Sequence, residues 1–134
     1  MSTKAIENAL KGAVAVLLPT LPKAWPNQDF NPSAAGNLPY AACDLVYAGT
    51  TDDTVDAEHP VTAGTLVVTI VVAKGTSTST ANGHADTVAA AFPMGRRITA
   101  GNKTITITQP PHTREGMPDG AYWRVPVRIR WQAE

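Results

Sequence analysis

The stretch from Tyr122 to Trp131 reads Tyr-Trp-Arg-Val-Pro-Val-Arg-Ile-Arg-Trp, and it limits the possible folds of this chain more than any other. Trp123, Val125, Val127, Ile129 and Trp131 alternate with Arg124, Pro126, Arg128 and Arg130. Side chains of a strand point to opposite faces in turn, so this order predicts one apolar face and one basic face. Such a strand packs one side on a core and leaves the other polar. Pro126 has no backbone donor, so it suits an edge, a bulge or the non-bonded side of the strand. The plain reading of the basic face is a solvated surface whose arginines discourage edge-to-edge aggregation. The sharper reading is a contact with another subunit or with a polyanion.

With 134 residues, the chain is expected to form one domain, 1–134, with a modest core. Charged residues make up 16% of it, against about 25% in a typical soluble domain. That leaves much surface suited to protein contacts. The net charge is zero, but it is unevenly placed. Residues 1–90 carry four Lys/Arg and eight Asp/Glu, and residues 91–134 carry seven and three. An acidic first part and a basic last part suit head-to-tail association of copies. Cys43 is the one cysteine, which excludes an intrachain disulfide and a cysteine-built zinc site. No secretory leader is expected from the first residues, and no apolar run is long enough to span a membrane.

Residues 3–18 carry Ile6, Leu10, Ala13, Val14 and Leu17 at helical spacing. Ser2 or Thr3 is the expected cap, and Pro19 and Pro22 end the helix. Residues 19–39 are rich in Pro and Asn and read as an irregular connection, with Trp25 and Phe30 as candidate anchors, either to the core or to a partner chain. A first strand is expected over 40–48, with Cys43 and Leu45 facing the core. Residues 49–63 read as an acidic loop in which Asp52, Asp53, Asp56 and Glu58 surround His59. These are suitable metal ligands, but their spacing matches neither a calcium loop nor a zinc helix, so a solvated or interface loop is the better reading.

Residues 64–73 form the expected central strand, apolar on both faces. A turn at 74–79 leads to a second helix over 80–92, with Ala81, Ala85, Val88, Ala89 and Phe92 as its stripe and Thr80 as its cap. Residues 96–108 predict a strand interrupted near Gly101, with Ile98, Ile105 and Ile107 inward. Residues 109–121 read as a second long loop. The order helix, strand, strand, helix, strand, strand predicts an α+β fold. Its architecture is a two-layer sandwich, a mainly antiparallel sheet with two helices packed on one face.

Catalysis finds no support, because no nucleophile, base and orienting group stand at useful spacing, and no cofactor motif is present. Nucleic-acid binding has more in its favour. Arg96, Arg97, Lys103, Arg124, Arg128 and Arg130 can converge, with Tyr122, Trp123 and Trp131 as stacking surfaces. Against it, the tryptophans of the last strand are out of phase with its arginines, and the chain is not basic overall.

Several short anchors resemble the tail terminator, or tail completion, proteins of long-tailed bacteriophages, the group of the minor tail protein U of phage lambda. They are the N-terminal helix from Ala5 to Leu18, Trp25-Pro26-Asn27, Phe30-Asn31-Pro32 and Pro39-Tyr40. After them come Gly64-Thr65-Leu66-Val67-Val68, the small-residue helix closed by Phe92-Pro93, and Asp119-Gly120-Ala121-Tyr122-Trp123-Arg124-Val125-Pro126-Val127. The resemblance implies a structural virion protein, not an enzyme. It implies a homo-oligomeric ring, commonly a hexamer, assembled in the host cytoplasm. Such a ring caps the tail tube protein at the head-proximal end of the tail, stops its polymerisation and meets the head-tail connector proteins, with DNA passing nearby. It carries over no catalytic residue, cofactor or metal. A neighbouring connector or neck protein, or a small nucleic-acid-binding module using the last strand, are the alternatives. The candidate subunit or DNA contacts are Arg96, Arg97, Arg124, Arg128 and Arg130 on the basic side, and Asp52, Asp53, Asp56 and Glu58 on the acidic side.

Overall fold

The structure, a computed structural model, describes residues 3–17, 21–25, 39–51 and 61–134. Phe30, the four acidic residues Asp52, Asp53, Asp56 and Glu58, His59 and the proposed cap Ser2 lie outside the described residues. Helix α1 spans Thr3–Ala15 and helix α2 spans Thr78–Ala91. The strands are β1 (Lys23–Ala24), β2 (Tyr40–Thr51), β3 (Val61–Ala73), β4 (Arg97–Ala100), β5 (Lys103–Ile107), β6 (His112–Thr113), β7 (Met117–Asp119) and β8 (Tyr122–Ala133).

All eight strands among the described residues belong to one sheet, in the order β1-β2-β3-β8-β5-β4, with β6 and β7 also paired to β8. Every pairing is antiparallel except that of β1 with β2. The fold is the expected α+β arrangement of helices on a mainly antiparallel sheet. β3 is central, as its two apolar faces predict, and β8 runs beside it in full register from Thr62↔Ala133 to Ala73↔Tyr122.

The alternation in β8 is realised as read. Val125, Val127, Ile129 and Trp131 are buried, and their partners Ile70, Val68 and Leu66 on β3 are buried with them. Trp123 is half-buried and packs against the same core. Helix α1 adds Ile6, Leu10 and Val14, and helix α2 adds Ala81, Ala85, Val88 and Phe92. Both helices therefore cover the same side of the sheet. The alanines of α2 keep that helix close to β3 and β8, which is what small residues at spacings of four and three provide. Burial of each large aliphatic side chain contributes about 1.5–3 kcal/mol relative to exposure.

Pro126 sits on this central strand without breaking it. Its carbonyl accepts from the Arg114 amide at 2.9 Å, so its nitrogen also points to the β6–β7 side. There β6 and β7 leave a gap between them, because β6 pairs with residues 127–128 and β7 with residues 122–124. The missing donor therefore interrupts no pairing.

Several boundaries differ from the sequence expectation. α1 ends at Ala15 rather than residue 18, because its last turn tightens into a Leu17 N–H to Val14 carbonyl bond of 2.9 Å ahead of Pro19. α2 starts two residues early. Its cap is Ser77, whose hydroxyl accepts from the Ser79 amide, and not Thr80. The loop expected over 49–63 is shorter, because β2 continues to Thr51 and β3 begins at Val61. A bulge between Tyr47 and Gly49 lets β2 pass the Ala-Gly pair, with Gly49 at φ 147°, and Thr50 and Thr62 then share a cross-strand hydroxyl bond of 2.9 Å. The loop expected over 109–121 is not free either. β6 and β7 within it pair with β8. The interruption near Gly101 is a hairpin turn between β4 and β5, with Gly101 at φ 63°.

Candidate functional site

Directly paired residues of an antiparallel sheet share a face, so the register places every side chain on the side away from the helices. One row across four strands is Asp44, Val67, Arg128 and His112. The next is Val46, Thr65 and Arg130, and beyond it lie Gln132, Thr106 and Arg97. On the other side of the Arg128 row, Thr69 pairs with Pro126, and then Tyr40, Val71, Arg124 and Met117 align. Threonine and arginine make up seven of these sixteen residues, Tyr40 and Val71 are buried at one end, and no helix lies over the rest among the described residues.

The five candidate arginines divide by what they already do. Arg124 is held by Asp119 across the β7–β8 hairpin, Nε to Oδ2 at 2.5 Å. Arg96 lies on the other side of the molecule. Its guanidinium donates to the Ala91 carbonyl at the end of α2 and sits 5.1 Å from the centre of the Phe92 ring. A cation there satisfies a terminal carbonyl and complements the helix dipole. Arg97 faces the open side in a cleft with Thr104, Thr106, Thr108, Gln132 and Glu134. Arg128 and Arg130 are exposed, and neither forms an ion pair with the described residues. Together with Gln109, Pro110, Pro111 and His112 they line a cleft of about 510 Å³. Two residues apart on one strand, their backbones stand about 7 Å from each other.

The model of the phage tail terminator protein family matches residues 3–131. This chain belongs to the phage tail terminator family. Membership makes it a structural component of the virion tail that works among other tail proteins. No curated protein matches the chain. A solved structure at 22% identity, aligned over 100% of this chain and 96% of its own, superposes with a TM-score of 0.81 and shares the fold.

Of the two loop anchors proposed for the terminator, Trp25 is the one described. It packs against the core at partial exposure, with the Lys11 ammonium 5.9 Å from its ring centre. Lys11 is paired in turn with Glu7 one helical turn earlier, at 2.7 Å. His112 and Gln109 did not stand out in the sequence, because they lie in a Pro-rich stretch with no periodicity. Only the pairing of His112 with Arg128 brings them to the arginines.

Cys43 of the terminator is a buried thiol on the core face of β2. Burial, with a smaller contribution from Asp44 and against the opposing effect of Lys23, pushes its pKa up to about 12. The neutral thiol is thus the favoured form in the folded state, and a nucleophilic role is disfavoured. The unfolded chain loses this proton first as pH rises past about 9, so the group's share of stability is intact below that pH and falls between it and about 12. The folded protein should resist a thiol-reactive disulfide reagent at pH 8 and react at once in denaturant. Equal rates in both conditions would contradict the burial.

Proposed function

We propose that this protein closes the tail tube. Copies assemble into a ring, most simply a hexamer, on the last ring of tube subunits at the head-proximal end. There they block further polymerisation and form the tail side of the head-tail junction. The observation that carries this reading is the family match over residues 3–131. The physical case is compatible with it. One small domain cannot cover the end of a wide tube, whereas several copies in cyclic register can. The acidic-to-basic division of the chain suits heterologous contacts, in which one surface of each copy meets a different surface of the next.

The test uses tails assembled without this protein. Such tails should show tubes of irregular length. Adding the purified protein should place a single ring at one end and stop further growth, as seen by electron microscopy. Repeated layers along the tube would make the protein a tube subunit. Attachment to the head side alone would make it a connector. The free protein need not be a ring in solution, because the tube end can template the assembly and stabilise it by mass action.

A further inference from the structure

The cleft at Arg128 and Arg130 combines two arginines with no ion-pair partner among the described residues and one histidine on the adjacent strand. Its row continues through Val67 to Asp44, two strands from Arg128 and about 10 Å away at normal strand spacing. That separation, on a solvated face, leaves the guanidinium free for a closer anion. Arg124 and Arg96 are excluded from the same task by their existing contacts. Of the β8 arginines, this leaves Arg128 and Arg130 side by side without an ion-pair partner among the described residues.

We propose that this cleft is the basic half of a heterologous interface between copies of this chain. Its acidic half is the segment of the neighbouring copy that carries Asp52, Asp53, Asp56 and Glu58. The inference rests on the ring reading above and names the contact that closes the ring. Charge complementarity within one sequence is the argument. Every copy brings four carboxylates between Thr51, where β2 ends, and Val61, where β3 begins. Thr65 and Val67, which face Arg130 and Arg128, lie four and six residues inside β3 from that end. This separates the cleft from the start of β3 by roughly 13–20 Å along the strand. The end of the sheet where β3 begins and a cleft on the sheet's face are different surfaces, as a heterologous contact requires. Arginine suits the task, because its fork pairs with a carboxylate through two parallel hydrogen bonds.

Double-stranded DNA is the weaker occupant. The chain as a whole is neutral, whereas DNA binding draws on several phosphate contacts at once.

A charge-swap pair tests the proposal on the full chain. Variant one is Arg128→Glu with Arg130→Glu. Variant two is Asp52→Lys with Asp53→Lys, Asp56→Lys and Glu58→Lys. Circular dichroism and denaturant unfolding first establish that both fold, as the exposure of Arg128 and Arg130 predicts for the first. Self-association is then followed by sedimentation over a range of concentrations at low salt, and ring occupancy of tube ends by electron microscopy. Each variant alone should associate about tenfold more weakly or worse, because like charges then meet at every contact. An equimolar mixture should recover wild-type association, since alternating copies satisfy both kinds of contact. Loss without recovery, or no loss at all, overturns the proposal. So does a first variant that still forms rings but loses salt-sensitive retention of duplex DNA, which would assign the cleft to DNA. Wild-type rings that tolerate both variants would sink the contact and leave the capping function standing. Layers along the tube that still obey the charge swap would do the reverse. A wild-type protein that forms no ring in either setting overturns both.

Discussion

Gly64→Ala is expected to be the most damaging small substitution in this protein, costing at least about 3 kcal/mol and leaving little folded material. Gly64 lies in β3 opposite Tyr47 on one side and Trp131 on the other. A Cβ there would stand 2.3 Å from the Val46 carbonyl oxygen and 2.6 Å from Cζ2 of Trp131. Neither can retreat cheaply. The carbonyl belongs to a paired strand. The indole is 1% exposed and meets the Tyr47 ring edge-on, with ring centres 5.7 Å apart. Close-packed interiors do not absorb an added methyl at such a point. Gly83→Ala is the matched control. It stands in α2 with nothing within 4 Å of an added Cβ. Relief of glycine's helix penalty should stabilise the protein there by about 0.5–1 kcal/mol. Equilibrium unfolding of both variants measures the contrast. Similar stabilities for the two would refute the packing at Gly64.

Ile129→Ala should destabilise by about 2–5 kcal/mol, through lost transfer energy and the cavity left behind. Ile129 is fully buried, pairs with Leu66 and belongs to the cluster that joins both helices to the sheet. Its neighbour Arg128 points to the open face, where truncation to alanine should change stability by no more than about 0.5 kcal/mol. Urea titrations of the two variants read the faces of β8 directly. If Arg128→Ala is the costly change, the faces are reversed.

This contrast follows from the alternation itself. Which residues of β8 and β3 face inward, and that two apolar-striped helices cover a sheet, were legible in the sequence, because side-chain direction has a short period set by the local backbone. Proline and glycine placed most helix ends within a few residues for the same reason. The tail terminator resemblance, carried by short anchors, agreed with the family match across residues 3–131.

Contacts between distant parts of the chain were decided only in three dimensions. β6 and β7 have two and three residues, too few for any pattern, and exist because β8 offers them a partner. The bulge at Tyr47 and Gly49 turned an expected loop into continuing strand because β3 supplies the partners on its far side. The five arginines look alike in sequence. Tertiary structure separated them, giving Arg96 to the end of α2 and Arg124 to Asp119. It left Arg128 and Arg130 beside His112, a neighbour sixteen residues from Arg128 in the chain and directly across the ladder in space. Periodicity is a property of one strand, whereas register belongs to a pair, so the sequence alone determined the faces and the tertiary structure decided what meets on them.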